Sequence, residues 1–159
     1  MGKVYSICSI LMAGLFLVST SVQFNDPDWY FWIPMYSCAA YVNLKRTLSF
    51  VAPKRITAAG IVALWLGMFL LIKVLLEDFF GDMIGIWSLD MRHRLVREKI
   101  GSGLVIWSMI LQLSVEQDPT KWNSMEIGLL IEFGMTVLVG ISCGLSFVFL
   151  IYHENEVKY

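Results

Sequence analysis

Charge is what this sequence has little of. Asp, Glu, Lys and Arg make up 16% of its 159 residues, against about 25% in an ordinary soluble domain. The few charges are also unevenly spread, so that residues 4–24 and 133–152 carry none. Uncharged apolar runs of about 18 or more residues read as membrane-crossing helices, which excludes a soluble enzyme, a disordered regulator and a disulfide scaffold. Cysteine is equally sparse. Cys8, Cys38 and Cys143 lie far apart inside apolar runs, without the close pairing of a disulfide framework or a metal site, and read as small packing residues. His93 has no second histidine at metal-ligand spacing. A net charge of -1 and a pI near 6.1 leave no basic surface for nucleic acid. The chain contains no H-E-x-x-H, no nucleophile elbow, no phosphate-cradling glycine loop and no cysteine pair. No enzyme, metal or cofactor is therefore expected.

What is present is apolar, at 57% of all residues. A helix rises about 1.5 Å per residue and the hydrocarbon layer is about 30 Å thick, so one crossing takes roughly 20 residues. Five stretches meet this: 4–24, 27–44, 56–76, 97–115 and 127–152, the second and fourth extended at their starts to reach a full span. Backbone groups in lipid must be satisfied within the segment, which leaves helices as the spanning structure for runs of this length. No repeat or low-complexity linker divides the chain. The expectation is all-α: a polytopic membrane helical bundle of about five transmembrane helices, one transmembrane domain over residues 1–159, multi-pass in a membrane whose identity stays open.

The first run, preceded by Lys3 and followed by Ser19, Thr20 and Ser21, has some features of a signal peptide, but it is longer than a signal core and is read as a retained helix. A myristoylation pattern at Gly2 and Ser6 is a weaker match. Lysine and arginine nearly tie between the two sides. Lys3, Lys45, Arg46, Lys54, Arg55 and Lys121 fall on one, and Arg92, Arg94, Arg97, Lys99 and Lys158 on the other. The basic, acid-free loop 45–55 favours a cytoplasmic amino terminus. Two small-residue faces promise close helix contact: Ala59, Ala63 and Gly67, and the G-x-x-x-G step of Gly140 and Gly144. Packing within the chain is the expectation for both, with a homodimer seam as the alternative.

The most informative polar segment is Gln23-Phe24-Asn25-Asp26-Pro27-Asp28. Its chemistry is that of a helix start, with Asp26 as cap, Pro27 at the first helical position and Asp28 at the positive end of the dipole. Trp29, Tyr30 and Trp32 follow as an interfacial aromatic belt, and Pro34, too deep for a helix start, should kink the second helix. A cation or polar ligand held by the carboxylates is the functional alternative.

At this segment the sequence resembles the transmembrane protein 220 family, whose signature includes an Asn-Asp-Pro-Asp loop after the first helix. Asn25, Asp26, Pro27 and Asp28 match it, with Gln23 before them, and Arg97-Glu98 followed by Gly101 and the run Ser102-Gly103-Leu104-Val105-Ile106 are similar to a second family motif. The likeness covers roughly residues 4–113. It implies a multi-pass membrane protein and carries over no activity or cofactor.

Counting crossings puts loops 25–28 and 77–99 on one side. Asp26 or Asp28 is expected to pair with Arg97, with Glu98, Asn25 and Gln23 completing a hydrogen-bonded cluster at one mouth of the bundle. Phe79, Phe80, Met83, Ile84 and Trp87 recur at helical spacing, as in an interfacial helix or a continuation of the third span. Arg92, His93 and Arg94 form a solvated or headgroup-contacting patch. Lys73 and Glu132 are the ionisable residues inside the spans. They start from the same side at depths differing by roughly 18 Å, so each snorkels to its own interface, Lys73 beside Glu77, and Glu132 toward Lys54 or Arg55. Three function classes follow: a non-enzymatic protein that packs with itself or other membrane proteins in the lipid bilayer, preferred; a small transporter or channel with a polar mouth at 25–28; and a lipid-modifying enzyme using Asp26, Asp28, His93 or Glu98.

Overall fold

A computed structural model describes residues 3–25, 28–48, 53–81, 94–114 and 125–156. All five segments are helical: α1 Lys3–Val22, closed by a 3-10 turn at Gln23–Asn25, then α2 Trp29–Leu48, α3 Pro53–Gly81, α4 Arg94–Ser114 and α5 Met125–Glu156. No strand occurs among the described residues. Three helices contain stretches long and apolar enough to cross a membrane: Lys3–Val22, Lys54–Phe80 and Gly128–Phe147. α2 and α4 are less apolar because charges near one end of each, Lys45 and Arg46 on α2 and Arg94, Arg97, Glu98 and Lys99 on α4, add to buried polar groups, Asn43 on α2 and Ser102, Ser108 and Gln112 on α4.

The helices close into a ring. α1 packs on α2, α2 on α3, α3 on α4, α4 on α5 and α5 back on α1, while α2 also reaches α4 across the middle. Cross-helix bonds give the directions. Tyr5 at the start of α1 meets Gln112 at the end of α4, and Lys99 at the start of α4 meets Asp78 at the end of α3, so helices adjacent in sequence run antiparallel. The core between them holds Met12 and Phe16 of α1, Trp32, Met35 and Ala39 of α2, Ala63 and Leu70 of α3, Val105 and Met109 of α4, and Met135 and Leu138 of α5. The outside is oily too: Trp65, Phe69, Trp107, Leu130, Phe133 and Phe147 are all more than half exposed. A water-soluble monomer rarely displays so much contiguous apolar surface, and a helical membrane bundle requires it.

One small-residue face packs inside the bundle and the other does not. Gly67 and Ala63 are buried and Ala59 half-buried, and a Cβ on Gly67 would lie 3.1 Å from Ile106 and 3.7 Å from the Ser102 carbonyl, so this face lets α3 approach α4. Gly140 and Gly144 are exposed, with nothing among the described residues within 4 Å of a Cβ added to either. Among the described residues that pair therefore packs against no other helix, contrary to the expectation of close contact within the chain. α5 turns its Ile131, Met135, Leu138 and Ser142 stripe inward, and Gly140 and Gly144 lie about 200° round the helix from Leu138 and Ser142. The close approach of α5 occurs at Gly134 instead, where a Cβ would sit 3.0 Å from Leu111.

The helix start at 25–28 also differs from expectation. α2 begins at Trp29 and the Asp28 carbonyl accepts the Phe31 amide at 3.1 Å, so Asp28 rather than Asp26 stands at the start of the helix. Asp26 and Pro27 lie outside the described residues. Pro34 sits within α2 on its exposed face, where its missing N–H leaves the Tyr30 carbonyl without a helical donor. α3 continues unbroken through Phe79 and Phe80 to Gly81; Met83, Ile84, Trp87 and the patch at Arg92 and His93 fall outside the described residues, and Arg94 opens α4 with its side chain outside them.

Candidate functional site

Two ion pairs fasten one end of the bundle. Lys73 Nζ donates to Asp28 Oδ2 at 2.5 Å and lies 3.2 Å from Glu77, one turn on, tying α3 to the start of α2. Lys73 is a partner of Asp28 that the sequence does not suggest, and it arises because α2 and α3 pack as antiparallel neighbours and bring the end of one beside the start of the other. The second pair joins Lys99 Nζ to Asp78 Oδ2 at 2.6 Å, with the Asp78 side chain wholly buried and Lys99 at 11% exposure. Asp78 Oδ1 has no hydrogen-bond partner among the described residues, so Lys99 carries most of the compensation for that buried charge.

Gln23, Asn25, Arg97 and Glu98 belong to this same end, at the close of α1 and the start of α4, whereas Glu132 lies toward the other. Gln23 lies in the 3-10 turn with Oε1 buried and without a hydrogen-bond partner among the described residues. Asn25 shares that turn, its side chain outside the description. Glu98 is buried, at 4% exposure, and Arg97 beside it is exposed. Glu132, on α5, is half-buried.

Toward the opposite end lies a constellation that the sequence reading missed. Tyr5 Oη donates to Gln112 Oε1 at 2.5 Å, and Gln112 Nε2 donates to Ser9 Oγ at 2.8 Å and to Asn43 Oδ1 at 2.9 Å. Asn43 Nδ2 in turn donates to Ser108 Oγ at 3.0 Å and to the Ala39 carbonyl at 2.9 Å. All five side chains are buried. Three helices are thereby linked with both amide groups used as donor and acceptor, which is how a buried polar network avoids its desolvation cost. Its signal was present: Tyr5 and Ser9 on α1, and Ser108 and Gln112 on α4, are pairs four residues apart that share a helix face. None of them carries a charge at membrane depth, so they leave no break in the apolar runs.

Between α1, α4 and α5, near the ion-paired end, the bundle leaves a cleft of about 460 Å³. Leu15, Val18, Leu104 and Leu145 form apolar walls, while Gln23 and Arg97 line the same space. Tyr36 reaches it from α2, with its hydroxyl in the position a Cβ on Gly101 would occupy.

Residues 15–114 match the family model described as Transmembrane family 220, helix. The chain belongs to this family. No match is found among curated proteins or among solved structures. The family 220 match takes in Asn43, Ser108 and Gln112 together with both ion pairs, and it leaves out Tyr5, Ser9 and the whole of α5. In this family 220 chain Gly101 is required by a specific neighbour. Gly101→Ala is expected to destabilise the protein by about 1–3 kcal/mol, the usual cost of overpacking, and Gly101→Ala with Tyr36→Phe to recover part of it, since the ring carbon Cζ stands farther off, at 3.3 Å, while the contact Tyr36 makes with its hydroxyl is given up. Thermal unfolding of the two variants in detergent tests this, and equal losses would place the strain elsewhere.

Proposed function

We propose that this family 220 protein is a multi-pass membrane protein with five crossings, acting without catalysis, by packing and binding within the bilayer. The observation that carries the reading is where the polar chemistry is spent. Gln112 and Asn43 bond to one another and to neighbouring helices, and Asp28, Lys73, Asp78 and Lys99 are consumed in interhelical ion pairs. Apolar side chains of Met12, Phe16, Met35 and Met109 fill the interior between the two polar ends, which favours a binding role over a hydrated path. The lower hydropathy of α2 and α4 is compatible with crossing, because Asn43, Ser108 and Gln112 face inward while Trp107 and Ile110 face out.

Sidedness is the test. In a protein whose Cys8, Cys38 and Cys143 are replaced by alanine, an impermeant thiol reagent is expected to label Asn25→Cys and Asp90→Cys from one side of the membrane. Phe50→Cys and Asp118→Cys should label from the other. Any other grouping removes the five-crossing reading. Solute flux through reconstituted liposomes would replace binding by transport, and phospholipid turnover would replace it by lipid-modifying chemistry.

A further inference from the structure

The geometry points to a lipid site in the cleft between α1, α4 and α5. One acyl chain lies along the apolar walls, and an anionic head group that also bears an O–H or N–H donor sits at Arg97 and Gln23. The polarity of the cleft is directional. Gln23 follows the end of α1 and Arg97 stands in the first turn of α4, so both belong to the same end of the bundle. Leu15 lies eight residues back along α1 and Leu104 seven residues on along α4, which places the apolar walls about 10–12 Å deeper. The volume, about 460 Å³, falls in the range of about 300–1,000 Å³ that accommodates small-molecule ligands.

Two chemical features select the head group. Arg97 is exposed at the mouth, and a guanidinium carries five N–H donors in a planar fork, enough to meet a phosphate while keeping the contact it already makes. Gln23 Oε1 is a buried acceptor without a hydrogen-bond partner among the described residues, and a buried carbonyl gains from a donor brought by its ligand. A membrane phospholipid with a glycerol hydroxyl supplies both. The lipid reaches the cleft sideways, past the exposed Val18 and Val22 of α1.

Native mass spectrometry of the whole protein tests the site, after equilibration in detergent with vesicles of phosphatidylcholine and phosphatidylglycerol in equal parts. One lipid should be retained, with phosphatidylglycerol enriched over its share in the vesicles. Arg97→Gln should lower that enrichment about five-fold, the effect of one arginine at an anionic surface. Ser146→Trp, which fills the cleft from a position whose hydroxyl bonds only its own helix among the bonds described, should abolish retention of both lipids; Leu104→Phe serves if that variant does not fold. Lys45→Gln, at the far end of the bundle, should change neither. Equal retention of the two lipids, enrichment that survives Arg97→Gln, retention that survives filling of the cleft, or a second copy of the chain in place of lipid each overturns the site. The inference relies on the five-crossing reading to put Arg97 at a membrane surface. Labelling that fails indicts the topology, whereas correct labelling with no lipid preference indicts the site alone.

Discussion

Gln112→Ala should lower the melting temperature of the detergent-solubilised protein by about 8 °C. The substitution removes the acceptor of Tyr5 and the donor to both Ser9 and Asn43 in one step. Inside a membrane each interhelical hydrogen bond averages only about 0.6 kcal/mol, because separated helices find other partners. Three such bonds give about 2 kcal/mol. Truncating a wholly buried side chain adds a cavity worth about 1–2 kcal/mol more. The sum of about 3–4 kcal/mol corresponds to roughly 6–16 °C for a chain of this size. Gln112→Leu keeps most of the volume and loses the bonds, so it should fall between wild type and Gln112→Ala. Asn43→Ala combined with Gln112→Ala should cost less than the two changes added, since they share a bond. A melting temperature unmoved by Gln112→Ala would show that the network contributes nothing to holding α1, α2 and α4 together.

Lys99→Ala is expected to be the most damaging single change near the other end. It strands the Asp78 carboxylate, whose side chain has no exposure and whose Oδ1 has no hydrogen-bond partner among the described residues. Breaking a buried pair from one side costs about 3–5 kcal/mol because the remaining charge stays desolvated. Replacing both partners by apolar residues of similar size, Asp78→Leu with Lys99→Met, should restore stability to near wild type, since such exchanges are commonly neutral. Glu77→Ala provides the contrast. Glu77 is 46% exposed and pairs with Lys73 across one turn, where such bridges contribute only a few tenths of a kcal/mol. Denaturation of the three variants side by side decides the matter, and a double variant as unstable as Lys99→Ala would show that the ion pair does more than neutralise a buried charge.

The bundle was legible in the sequence and its partnerships were not. Long apolar runs are a local property, and lipid leaves such runs only the helix, so the elements could be read without knowing their neighbours. The polar segment at 25–28 was equally visible as a joint between helices. Its electrostatic partner was harder to name. Lys73 lies near that end by counting crossings, yet only the packing of α3 beside α2 shows that it reaches Asp28. The hydrogen-bonded network escaped for a different reason: Tyr, Ser, Asn and Gln do not interrupt an apolar run as charges do, and their significance appears only when three helices bring them together.

The two small-residue faces mark the same boundary. Ala59, Ala63 and Gly67 and the pair Gly140 and Gly144 carry equal capacity for close approach in the sequence, yet the first lies against α4 and the second faces outward. The sequence alone determined that this chain is helical and belongs in a membrane, because run length and charge spacing act residue by residue. Tertiary structure alone decided which faces meet, which ion pairs close and where a cleft remains, because each depends on the rotation of one helix against another, and an apolar helix offers several rotations of similar energy until its neighbours select one.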